Sequence, residues 1–166
     1  MDVLKLLKKD HQHVKRMFNE LKKLAGHATP KTDMLVTNIH DVLTLHSQLE
    51  EEQFYPALRA IEVPEATRLV TEALEEHRIA ARLLAEIADL TPQDDHYHAK
   101  VTVLREYVLH HVKEEEKELF ALANKHLSAD TREELGTMMA TRQRILRDQY
   151  KTNSRPDETQ NASYDE

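Results

Sequence analysis

Apolar positions recur at three- and four-residue spacing along most of the chain, the mark of helices that bury one face. The first run is Leu4, Leu7, His11, Val14, Phe18, Leu21 and Ala25. It predicts a helix opened by Asp2 as cap and closed by the turn signals Gly26 and Pro30. A second run, Leu35, Ile39, Val42, His46, Leu49/Glu50, Phe54 and Ala57/Leu58, predicts a helix from Lys31 to Ile61. Pro56 sits inside it as a place for a kink or an early end. Glu62-Val63-Pro64 then breaks the chain, and Pro64 suits the first turn of a third helix reaching Leu90. Its seam is Val70, Ala73/Leu74, His77, Ala80/Ala81, Leu84 and Ile87. After Thr91-Pro92-Gln93-Asp94-Asp95, a fourth helix to Lys125 carries Val101, Leu104, Val108, His111, Glu115, Leu119 and Leu122. Asp130-Thr131-Arg132-Glu133 has the form of a capping box and opens a shorter fifth helix with Leu135, Met138, Met139, Ile145 and Leu146. Residues 151–166 are polar throughout and are expected to be a disordered tail.

Short turns between the first four helices make consecutive ones antiparallel neighbours. The expected fold is therefore all-α: an up-down-up-down four-helix bundle with a short fifth C-terminal helix, in one domain over residues 1–150. Numbering alone then tests where the seam histidines fall. His11 lies 15 residues before Gly26, and His46 lies 15 after Lys31. His46 lies 15 before Ile61, and His77 lies 13 after Pro64. His77 lies 14 before Thr91 and His111 19 after Pro92, which agrees if the fourth helix starts a few residues late. At ~1.5 Å per residue, all four come to nearly one height.

Two of these histidines open a His-x-x-x-Glu motif, His46/Glu50 and His111/Glu115. Residues four apart lie about 40° apart around a helix and one turn along it, so each pair points into one space. A rival pair, His110/Glu114, falls on the more polar face with Val103, Tyr107, Lys117 and Ala121. The chain also repeats itself. Asp10-His11 stands 35 positions before His46, and Glu76-His77 stands 34 before His111. Two related helical hairpins facing each other across a site suit two metal ions better than one. Four His and two Glu buried at one level are costly without a compensating partner, and a metal cage is the reading they favour over a buried polar network.

Composition narrows the chemistry. The 166 residues include no cysteine, so any metal must be held by nitrogen and oxygen. Of the eleven histidines, His27, His96 and His98 fall in polar, loop-like stretches and are expected at the surface, as is His40, which lies off its seam. Net charge is −7 with both signs interspersed, which leaves no cationic stripe for nucleic acid. No apolar run approaches a membrane span or a signal-peptide core, so the expected location is the cytoplasm.

Taken in order, Asp10-His11, His46-x-x-x-Glu50-Glu51 ahead of Tyr55-Pro56, Glu76-His77 and His111-x-x-x-Glu115-Glu116 resemble the hemerythrin-like, or HHE cation-binding, domain. The resemblance covers residues 1 to 150. It implies a hemerythrin-like bundle holding two non-haem iron ions (Fe2+/Fe3+), carboxylate- and oxo- or hydroxo-bridged. His11, His46, His77 and His111 would be terminal ligands, with Glu50 and Glu115 bridging or nearly bridging. Imidazole with carboxylate also suits non-haem iron chemically. A ferritin-like arrangement is disfavoured, because the sequence holds no Glu-x-x-His.

Two departures matter. The oxygen-carrying members have a second His four residues after the third-helix His, and this chain has Ala81 there. They also place the last carboxylate one residue later, at Glu116; helix geometry favours Glu115, with Glu116 as ligand or neighbour. Fewer protein ligands leave more positions open to a substrate. The expected function is reaction with oxygen species (dioxygen, hydrogen peroxide or nitric oxide), with catalase- or peroxidase-like turnover in oxidative or nitrosative stress. The alternatives are reversible oxygen or iron storage and an iron- or oxygen-responsive sensing module. Tyr107, one turn before His111, is a candidate catalytic hydrogen-bond donor, against the plainer reading of a Tyr packed between helices. Lys15, one turn after His11, either neutralises charge at the site or reaches out to solvent.

Overall fold

Helix α1 (Val3–Lys23) opens as its sequence predicts, with the Asp2 carboxylate accepting from the Leu4 N–H at 2.8 Å. The computed structural model describes residues 1–24 and 29–153. The expected turn at Gly26, the surface position of His27 and residues 154–166 of the expected tail lie outside the described residues. Helix α2 (Pro30–Leu49) is capped by Thr29, whose hydroxyl accepts from the Thr32 N–H at 3.3 Å.

The second helix does not run on to Ile61 as one α-helix. A π-helical turn, Glu50–Phe54, interrupts it, and a short helix α3 (Tyr55–Arg59) follows. The cause is local to Pro56, which has no N–H to donate and whose ring crowds the carbonyl four residues back. Widening the turn lets the Tyr55 N–H reach the Glu50 carbonyl, five residues earlier. Helix α4 (Pro64–Ala88) has Pro64 in its first turn, and α5 (Asp95–Lys117) starts late as anticipated, capped by Asp94. The fourth helix also breaks before Lys125. Glu118 (φ −105°, ψ −58°) separates α5 from α6 (Leu119–His126), although neither Gly nor Pro stands there.

The fifth helix is not short. Helix α7 (Ala129–Asn153) has 25 residues and takes up the first three residues of the expected tail. It lies across α1 and α2 and buries Leu135, Met139 and Leu146, four and seven residues apart on one face. Its cap is Ser128, whose hydroxyl accepts from the Thr131 N–H at 3.1 Å, and not the Asp130 capping box. Three side-chain links fasten it: Arg132 to Asp2 at 2.8 Å, Arg142 to Glu52 at 2.7 Å and Gln143 to Asp10 at 2.9 Å. Buried Gly136 lets the two backbones touch, since a Cβ there would lie 2.0 Å from the Met1 carbonyl oxygen.

Two apolar clusters fill the bundle. One gathers Leu7, Leu49, Ala73, Leu119 and the buried face of α7; the other gathers Val14, Leu43, Leu84, Val108 and Val112. Between them runs a polar layer. Along α1 the order is Leu7, His11, Val14, and along antiparallel α2 it is Leu43, His46, Leu49. The hairpin of α4 and α5 repeats that order, so the level expected from numbering exists. No helix of the described residues is long and apolar enough to cross a membrane.

Candidate metal centre

The four seam histidines meet in two pairs of nearly equal geometry. His11 Nε2 lies 3.2 Å from His46 Nε2, and His77 Nε2 lies 3.2 Å from His111 Nε2. The rings of both pairs are 4.9 Å apart, inclined at 71° and 68°. Each pair comes from one helical hairpin, α1 with α2 and α4 with α5.

Glu50 stands between the pairs. Its Oε1 is 3.1 Å from His46 Nε2, and its Oε2 is 3.3 Å from His77 Nε2. Glu115 is the second inner carboxylate, with Oε2 at 3.2 Å from His11 Nε2 and 4.0 Å from His111 Nε2. Ligand-type atoms of His11, His46, Glu50 and Glu115 all fall within 4.8 Å of one another, as do those of Glu50, His77 and His111. All six residues are buried.

Burial at this level requires a partner that protein atoms do not supply. Glu50 Oε1 and Glu115 Oε2 are buried with no hydrogen bond, a costly state for a carboxylate oxygen. A cation satisfies both. Two donor atoms ~2.1 Å from one ion, at an angle between a right angle and a tetrahedral one, are ~3.0–3.4 Å apart. The inner contacts of 3.1–3.3 Å match that spacing. The donor set fits a metal.

A second ring of acids faces the outer nitrogens. Glu116 Oε1 is 3.0 Å from His11 Nδ1, Glu51 Oε1 is 2.8 Å from His77 Nδ1, and Glu76 Oε2 is 2.5 Å from His111 Nδ1. Asp10 stands 4.0 Å from His46 Nδ1, drawn towards Gln143. The sequence repeat encodes this arrangement. The acid before each first histidine faces the other histidine of its own hairpin, in contact for Glu76 and at 4.0 Å for Asp10, and the second Glu of each Glu-Glu serves the opposite hairpin. An outer acid of this kind holds the proton at Nδ1 and leaves Nε2 free for a metal. Glu115 thus points inward, while Glu116 points at His11 and is held by Lys15 at 3.3 Å.

The charges are interdependent. Burial by itself would lower the His11 and His77 values, but Glu115 and Glu116 raise His11 to about 9, and Glu50 and Glu51 raise His77 to about 10. Burial would raise Glu50, yet His46 and His77 hold it well below the usual carboxylate range. Glu116 is held at about 2 by its hydrogen bond to His11. The pocket favours positive charge at its centre.

Tyr55 is the site residue that helical periodicity did not single out. Its hydroxyl lies 3.2 Å from Glu115 Oε1, 3.2 Å from His77 Nε2 and 3.4 Å from Glu50 Oε2. Residues five apart in an α-helix point about 140° apart, but the wider π turn stacks Tyr55 over Glu50. Burial, then the charges of Glu115 and Glu50, push its phenol well above the ordinary value. Pro56, next in the chain, was the available signal.

Tyr107 is half-buried and lies elsewhere, on the wall of a cavity of about 400 Å³ that opens beside the histidines. Ala81 is at the exposed lip of the same cavity. All four histidines line it, whereas Glu50, Glu115 and Tyr55 lie behind them. His110 of the rival pair is exposed, and Glu114 pairs with Lys117 at 3.5 Å. His96 and His98 are exposed as expected, and half-exposed His40 bonds Asp41 at 3.2 Å.

The hemerythrin HHE cation-binding domain model matches residues 2–123. The chain belongs to this family. The HHE fold is seen again in the crystal structure of a hemerythrin HHE cation-binding domain-containing protein of Mycobacterium kansasii, with a TM-score of 0.80 at 22% identity. That match covers 93% of this chain and 94% of the other. Among curated relatives is a DNA nickase of a Nostoc species, 29% identical over 137 residues. Those residues are 82% of this chain but 38% of the relative's length. Membership of the HHE family and the two His/Glu clusters agree on cation binding.

Proposed function

We propose that this HHE domain is a non-haem di-iron protein that reacts with small oxygen species: dioxygen, hydrogen peroxide or nitric oxide. The observation that carries the reading is Glu50, whose two oxygens face separate histidine pairs that both border one cavity. Iron in the two positions would supply one-electron redox steps and open coordination sites. His11 and His46 would hold one ion and His77 and His111 the other, with Glu50 and Glu115 shared. The all-nitrogen-and-oxygen donor set suits iron. Six carboxylates, Asp10, Glu50, Glu51, Glu76, Glu115 and Glu116, surround these histidines, and two trivalent ions would balance them charge for charge.

The remaining work falls to the chain. The outer acids Glu116, Glu51 and Glu76 keep the protons of His11, His77 and His111 at Nδ1, so these rings hold their orientation while the central charge changes. The Tyr55 O–H is a proton donor to the inner carboxylates from the side away from the cavity. Apolar walls keep bulk water from the substrate side. Ala81 offers no ligand at the cavity lip, which favours turnover over stable carriage.

Metal analysis with an optical spectrum before and after peroxide tests this. About two irons per chain with peroxide consumed and oxygen evolved is the expected result. A folded protein unable to take up iron would overturn it. A second reading, a sensing module, draws on α7, which links to the site through Gln143–Asp10 and Arg142–Glu52. Metal-dependent protease sensitivity of residues 128–153 would favour it. The activity named for the Nostoc relative is that of a protein of which this chain spans 38%, and the net charge of −7 here works against contact with phosphates.

A further inference from the structure

The cavity over the histidines is larger than dioxygen, nitric oxide or hydrogen peroxide needs. Its 400 Å³ would hold on the order of a dozen waters at ~30 Å³ each, within the usual size range of a small-molecule site. Val14, Leu43, Leu84, Val108 and Val112 wall it, with the histidine edges as a polar floor. Such walls offer hydrogen peroxide few hydrogen bonds in exchange for those of water. The charged groups at its rim are Glu51, Glu76 and Glu52, the last paired with Arg142, and among the described residues no Lys or Arg lines it. A carboxylate-bearing guest would be repelled, whereas a neutral apolar one would not.

We propose that this cavity binds the hydrocarbon part of a neutral organic hydroperoxide, with the O–O group at the histidine floor. The proposal rests on the oxygen-species reading above and names its substrate class. The hydroperoxide ROOH takes up two electrons and two protons, the O–O bond breaks, and ROH and water leave. Two ferrous ions held by the histidines would supply one electron each, and the protons would come from water at the mouth beside Ser47 and Ala81. An external one-electron donor, such as a flavin or iron–sulfur protein, restores the ferrous pair.

Cumyl alcohol, the reduced product of cumene hydroperoxide, is the probe. It is titrated by calorimetry into the iron-bearing protein as purified. Saturable binding at one site is expected, weakened at least tenfold by Ala81→Phe at the exposed lip, with iron content and helical circular dichroism unchanged. Leu84→Phe, which fills the interior, is the second variant and should weaken binding as strongly. Absence of saturable binding to the unaltered protein, or an affinity in both variants equal to that of the unaltered protein, would overturn the proposal. Failure of the underlying reading looks different. Alcohol bound by a chain that takes up no iron sinks the di-iron reading and upholds the cavity. Peroxide consumed without alcohol binding upholds the di-iron reading and sinks the cavity.

Discussion

Tyr55 and Phe120 occupy equivalent places in the two halves of the bundle, and only Tyr55 carries a hydroxyl. Each stands five residues after an inner carboxylate, Glu50 or Glu115, just past an interruption of its helix. Each lays its ring near a histidine of the opposite hairpin, Tyr55 at 5.4 Å from His77 and Phe120 stacked at 5.7 Å on His11. The near-symmetric centre is thereby given two unlike ends.

Tyr55→Phe makes the ends alike without opening a void. Removing the hydroxyl takes a hydrogen-bond donor from Glu50 and Glu115 and a polar neighbour from His77. Loss of such a partner typically costs 10–100-fold in metal affinity or activity. Metal titration should show that the His77/His111 position weakens by that factor, while the His11/His46 position is little changed. Equal weakening at both positions would count against an asymmetric centre.

Glu50→Gln keeps the side-chain volume and removes the charge between the histidine pairs. On the proposed two-ion centre, metal content should fall to one ion per chain or fewer, as read by elemental analysis. The outward-facing pair supplies the control. His110→Ala and Glu114→Gln should leave metal content unaltered, because neither side chain reaches the inner cluster.

Gly136→Ala tests the seating of α7. A methyl group there would meet the Met1 carbonyl oxygen and the Val3 amide nitrogen, both backbone atoms. Overpacking of this kind costs about 1–3 kcal/mol, occasionally more. A lowered midpoint in denaturant with an unchanged slope is the expected result; an unchanged midpoint would mean that α7 is not held by this approach.

Asp2 gives a pH dependence whose sign can be worked out. Burial would raise its value, but the Arg132 guanidinium and the Leu4 and Lys5 N–H groups outweigh burial and lower it. A carboxylate lowered on folding contributes stability above its unfolded value of about 3.9, and loses it as pH falls through the folded value. Asp2→Asn keeps a capping side chain and removes the ion pair. At pH 7 it should destabilise the protein by about 1 kcal/mol or less. As pH falls through the folded value the two proteins should converge in chemical denaturation. A constant difference down to pH 2 would assign the effect to packing.

The histidine level could be read in advance because it depends only on helical periodicity and antiparallel numbering. His11, His46, His77 and His111 each sit on an apolar seam, and Glu50 and Glu115 follow at the one spacing that shares a face. The helix interruptions were harder to read. Pro56 announced a disturbance but not its form, and the position of Tyr55 depends on that form. The break at Glu118 has no Gly or Pro to mark it. The full length of α7 is not marked in the sequence, since the residues after Leu146 are mostly polar and its docking depends on tertiary contacts such as Gly136 against Met1.

The polar layer has a consequence for how the chain unfolds. It separates two apolar clusters that otherwise would form one core; among the described residues α1, α2 and α4 contribute to both, and the fourth arm passes from one to the other as α5 gives way to α6. With the layer neutralised by bound cations, both clusters are joined through shared ligands and should melt as one cooperative unit. Stripped of cations, they are coupled only through a band of crowded charges, and amide exchange should resolve two subglobal openings in place of one. A bound cation would then set the cooperativity of the whole bundle.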